Sequence, residues 1–117
     1  MSRVDNYILT APCLTGETRS FLTDLNEKLV ELTNFKGCSF VAAHDHAGGP
    51  KNMEADVYLA ALNWVEQSIV VEAILYALNK PDTDYDKDRF QLFVNGQEDD
   101  KFREVTLAPQ MTHGNES

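Results

Sequence analysis

Residues 53–78, MEADVYLAALNWVEQSIVVEAILYAL, decide the fold. From Ala55 to Leu62, Val57, Leu59 and Ala61 alternate against Asp56, Tyr58 and Ala60, as in a strand. From Glu66 to Leu78, Ile69, Val70, Ala73, Ile74 and Ala77 recur at helical spacing. The competing reading is helix throughout 53–79, which would make the protein a helix-rich α+β domain. Asn52 would cap that helix, and Val57, Ala61, Val65 and Ile69 keep an i,i+4 row. Ala55, Ala60 and Ala61 also favour helix by intrinsic propensity. Period and propensity therefore conflict. Strand followed by helix is preferred, with the break near Asn63-Trp64. Asn79-Lys80-Pro81 ends the helix, because proline cannot continue it.

Upstream of that stretch, Val4 to Cys13 reads as a first strand closed by Pro12 and Gly16. A helix follows, with Thr15 as N-cap and Glu17 in its first turn. Phe21, Leu25, Leu29 and Leu32 form its apolar stripe with Leu22 alongside, and Asp24 and Lys28 pair on the wet side. Asn34 and Gly37 supply its stop. Cys38 to Ala43 reads as the second strand, and His44 to Asn52, with two glycines and a proline, as a loop. Downstream, Asp82 to Asp88 is a charged loop. In Phe90 to Asn95, a fourth strand, Phe90, Leu92 and Val94 alternate against Gln91 and Phe93. The next turn falls at Asn95-Gly96 or at Glu98-Asp99-Asp100, and Phe102 to Leu107 returns as a short edge strand. The order β-α-β-β-α-β predicts a ferredoxin-like split βαβ fold, an antiparallel sheet with two helices on one face. Residues 1–109 form one α+β domain and 110–117 a flexible tail.

The 117 residues carry a net charge of −9, with a pI near 4.6. Direct nucleic-acid binding is disfavoured, because it requires clustered Lys and Arg. No stretch is apolar enough over the roughly 20 residues a bilayer span needs. The N-terminus lacks the apolar segment of a secretory signal, so a cytoplasmic location is expected. Two cysteines, Cys13 and Cys38, make no disulfide framework and read as buried thiols.

Three groups of residues could carry chemistry. His44 and His46 share one side of an extended backbone and could bind a metal with Asp56 or Glu54. The plainer account is a polar loop, and near Asp45 the histidines could equally form a pH-sensitive contact. Asp82, Asp84 and Asp86 open like an EF-hand calcium loop, but Lys87 stands where glycine is needed and Phe93 where the bidentate glutamate is needed. Residues 82–104 hold −4 of the −9 charge, adding Glu98, Asp99, Asp100 and Glu104 to that loop. Such a rim steers a basic partner, or simply keeps the protein soluble. Phe93 and Tyr58 could share the helix-free face of the sheet as a partly apolar contact surface, or complete a small core.

Catalytic templates fail. There is no G-x-S-x-G, no phosphate loop, no G-x-G-x-x-G and no C-x-x-C, and no motif indicates a cofactor. Cys38 lies about 20 Å from His44 along a regular strand, which excludes a local dyad. The expected function is a non-enzymatic acidic protein that binds a protein partner with a basic surface, or forms a homodimer. An inhibitor or adaptor suits that description, including a viral protein acting against host nucleic-acid or defence machinery. The alternative is a small metal- or ligand-binding enzyme built on the His44/His46 loop.

Overall fold

A computed structural model describes residues 4–12, 18–43, 55–80, 87–96 and 98–107. The structure is α+β. Its strands are β1 (Val4–Pro12), β2 (Val41–Ala42), β3 (Ala55–Asn63), β4 (Gln91–Asn95) and β5 (Arg103–Val105), and its helices α1 (Thr18–Thr33) and α2 (Gln67–Leu78). The five strands form one antiparallel sheet in the order β2-β3-β1-β4-β5. The decisive stretch is strand, then helix.

The nine-residue pairing of β3 with β1 explains why tertiary context overrides the helix propensity of its alanines. Val4 pairs Asn63 at one end and Pro12 pairs Ala55 at the other, so β3 is paired along its whole length on one side, while β2 pairs Tyr58 and Leu59 on the other. Its parity is the reverse of what a core of Val57, Leu59 and Ala61 would need: Tyr58, Ala60 and Leu62 are buried. On β1 the buried set is Tyr7, Leu9 and Ala11, and on β4 Leu92 and Val94. These positions join the apolar sides of both helices in one core.

Helix α1 buries Phe21, Leu25 and Leu29 completely, as the 4-4-3 spacing predicts, with Leu32 and Leu22 packed at the margin. The Phe21 ring lies 5.5 Å from that of Tyr58 and 5.4 Å from that of Phe90, pinning the helix to the sheet and to the approach to β4. The helix ends at Asn34, which adopts φ 57° and donates its N–H to the Val30 carbonyl. Asparagine tolerates that left-handed conformation better than most residues, so the predicted stop is also the structural one. Thr15 and Glu17 lie outside the described residues. The Asp24–Lys28 pair does not form. Lys28 turns to Glu31 at 3.2 Å, and Asp24 reaches Lys80 beyond α2 at 3.8 Å.

The second strand is shorter than Cys38 to Ala43. The Cys38 N–H bonds the Phe35 carbonyl, so this residue completes the turn after α1 instead of joining the sheet. Its thiol is free and buried, while Cys13 lies outside the described residues. Between β3 and α2 the chain reverses at Trp64, with φ 62°. A bulky side chain there is a backbone outlier. The Trp64 ring is nevertheless 65% exposed.

Candidate functional site

Burying one parity of each strand leaves the other parity on the helix-free face. Register fixes which residues meet there. Val41 pairs Leu59, Leu59 pairs Ile8, Ile8 pairs Phe93 and Phe93 pairs Glu104. One straight row thus crosses all five strands, apolar in four of them. Val57 lies beside it on β3, paired with Thr10. Val41 is 57% exposed and Leu59 39%. The remaining outward positions of β1, β3 and β4 are Val, Ala, Pro, Asn, Thr or Gln, so Glu104 is the only charge among the outward positions of the described strands.

Antiparallel strands with one solvated face normally alternate apolar and polar residues. β3 does not, since it is apolar on both faces at its centre. Tyr58 is not part of the open face. It is fully buried beneath α1 and donates its hydroxyl to Asp56 Oδ2 at 3.1 Å. The expected pairing of Tyr58 with Phe93 on one surface is therefore corrected, because the two occupy opposite faces. Sequence alternation identified the strand, but with apolar residues on both parities it could not say which set faces the helices.

The acidic residues near β5 occupy the turn that joins it to β4. The Asp99 N–H bonds the Gly96 carbonyl at 3.0 Å, and Asp99 Oδ2 accepts the Gly96 N–H at 2.7 Å. A Cβ on Gly96 would lie 3.1 Å from that same oxygen, so the close approach favours glycine. Both turn signals read from the sequence thus belong to one turn. Asp99 also lies 3.6 Å from Arg103, which donates to Gln67 Oε1 at 3.1 Å and ties the hairpin to the first turn of α2. Glu98 and Asp100 stay exposed, and Glu104 accepts a hydrogen bond from Gln91 at 3.3 Å. The turn therefore holds outward carboxylates on a braced support.

Two features had no sequence signal. On α1, Asn26 clasps the backbone of Phe40. Its Oδ1 accepts the Phe40 N–H at 2.7 Å and its Nδ2 donates to the Phe40 carbonyl at 3.0 Å. The Ala43 N–H bonds Val57, so by alternation the Phe40 peptide groups point away from β3, toward the outer edge of the sheet. Asn26 therefore satisfies the outward peptide groups of Phe40, just before β2, as a neighbouring strand would. On the helix side, Tyr76 lies between two ammonium groups, with Lys28 4.7 Å and Lys80 5.1 Å from its ring centre. Its hydroxyl accepts a hydrogen bond from Lys80, which raises the lysine's pKa, and the Asp24 charge adds to the effect.

The other predicted residues, His44, His46, Asp82, Asp84 and Asp86, lie outside the described residues, as does the tail 110–117. The described member of the metal set, Asp56, bonds Tyr58, and among the described residues no three His, Cys, Asp or Glu side chains gather as a metal site. No described helix is long and apolar enough to cross a membrane.

Fold and surface together define an α+β protein with a five-stranded antiparallel sheet whose second face, among the described strand positions, is partly exposed and carries one charge. No protein-family model matches the chain, and no curated protein or solved structure matches it at a significant level.

Proposed function

We propose that this is a non-enzymatic binding protein of the inhibitor or adaptor kind, which turns the acidic β4–β5 hairpin toward a basic surface on a protein partner. The observation that carries this reading is the bracing of the turn: Asp99 and Arg103 fix the backbone while Glu98, Asp100 and Glu104 remain outside. Carboxylates held on a rigid support are pre-organised, so little side-chain ordering is needed when a cationic partner docks. A nucleic-acid-binding protein offers a surface of that kind, which makes a viral inhibitor of host nucleic-acid or defence machinery a natural member of the class. Action in the cytoplasm fits the same picture. The split βαβ description of the fold belongs with this proposal. It is supported by the central placement of β1 and β3, the first strands of the two halves, with β2 and β4 outside them and β5 as an addition.

The test is capture of partners from the native cell at low and high salt, with Glu98→Lys/Asp100→Lys/Glu104→Lys as the comparison. The triple variant keeps Asp99 in the turn. Association with the captured partner is expected to slow by about tenfold at low ionic strength and to lose most of its salt dependence. Unchanged rates at both salt concentrations would remove the acidic hairpin from the interface.

A further inference from the structure

We infer that the open sheet face is the contact surface of a homodimer, with the second copy packed face to face across the row Val41–Leu59–Ile8–Phe93. Apart from Glu104, which borders both, this is a different surface from the acidic hairpin, and the inference does not depend on that proposal.

Charge selects the occupant. The chain carries −9, yet the outward positions of the described strands hold a single charge, Glu104 at one edge. A basic partner would find almost nothing ionic to pair with there. Two copies of the same acidic protein, however, can approach closely only through a surface free of carboxylates, because like charges brought together are strongly unfavourable. The face is thus complementary to itself and to little else on the described surface.

Strand composition points the same way. A β-strand that is apolar on both faces belongs between two layers. The two helices cover one face of β3, and the outward Val57 and Leu59 require a cover for the other.

The sheet edges favour face packing over strand addition. Asn26 occupies the outward peptide groups of Phe40 at the β2 edge. The β5 edge is three residues long and carries Arg103 and Glu104, and short charged strands resist edge-to-edge pairing.

The area suffices for a modest dimer. At strand spacings of about 4.8 Å and rises of about 3.3 Å per residue, the described strands present a plane of roughly 450 Å² per copy. Side-chain relief brings two such faces close to the roughly 1,000 Å² that specific interfaces reach.

Sedimentation equilibrium from micromolar to near-millimolar protein, at low and high salt, tests the inference. The wild-type mass is expected to rise from 13.2 kDa toward twice that value. Added salt should leave the dimer unchanged or tighten it, because it screens repulsion between two acidic chains. Binding through the acidic hairpin weakens with salt, so the two surfaces respond with opposite sign. Leu59→Glu and Val41→Glu are each expected to weaken the dimer by more than about tenfold, a factor of ten in the dissociation constant being the usual effect of about 1.4 kcal/mol. Tyr76→Glu, on the helix side, should leave it intact. Val41 is the more exposed of the two sites, so its variant keeps the test valid if Leu59→Glu fails to fold. A protein that stays monomeric across the range overturns the inference, and so does a dimer that both face variants leave unchanged. Loss of the dimer in those variants with partner capture retained separates it from the hairpin proposal.

Discussion

Tyr58 and Leu59 are neighbours in the chain and lie on opposite sides of the sheet. Tyr58 sits against Phe21 with its hydroxyl on Asp56, and Leu59 stands in the open row. Their substitutions should therefore differ sharply. At dilutions where the chain is monomeric, Tyr58→Ala is expected to lower the unfolding free energy by about 3–5 kcal/mol, the range for emptying an aromatic site in a packed core. Leu59→Ala is expected to lower it by about 1 kcal/mol, because its side chain is only partly withdrawn from water. Urea denaturation of both variants measures the contrast, and equal losses would contradict the facing of β3. The sequence carried the alternation but not the facing. With Val57, Leu59 and Ala61 on one parity and Tyr58, Ala60 and Leu62 on the other, either set could have formed a core. The bulkier set turned inward, where Tyr58 also finds a hydrogen-bond partner.

At the scale of elements, β2 depends on a helix. Asn26 supplies both a donor and an acceptor to Phe40, and Phe40 is itself buried against Tyr7 at 6.4 Å between ring centres. Asn26→Ala is expected to cost about 1–3 kcal/mol, because two partly buried backbone groups lose their partner. The diagnostic signal is local: hydrogen exchange at the Phe40 amide should accelerate more than exchange in β1. Uniform acceleration would mean that the clasp is not specific to this edge. Asn26→Asp retains the acceptor and should fall between the two. Helix α1 was legible because its Phe21-Leu25-Leu29 spacing and its Asn34 stop are local signals. The clasp was not, because an asparagine on a helix surface has the same appearance in sequence whether it meets water or a strand. β2 was over-extended in the sequence for a related reason, since the bond from Cys38 to Phe35 is a tertiary outcome of how the turn closes. Of the acidic hairpin, the composition was legible and the bracing through Gln67 was not, since that partner lies 36 residues away.

For the whole molecule, the charge of −9 acts differently on its two surfaces. It would strengthen the approach of a cationic partner to the hairpin, as proposed above, and would oppose the approach of a second copy to the sheet face. Lowering the pH toward the pI of about 4.6 removes that opposition as carboxylates gain protons. Self-association, followed by light scattering, should therefore strengthen steadily as the pH falls from neutrality toward the pI, before denaturation sets in. A flat profile over that interval would show that repulsion between copies does not limit their contact. The chain also contains its own optical reporter. Trp64 is its single tryptophan, and the left-handed turn that holds it leaves the indole in water even when the core is complete. Folding thus changes the polarity around the ring very little, and the wavelength of its emission follows what comes to rest against that end of the sheet more than whether the protein is folded.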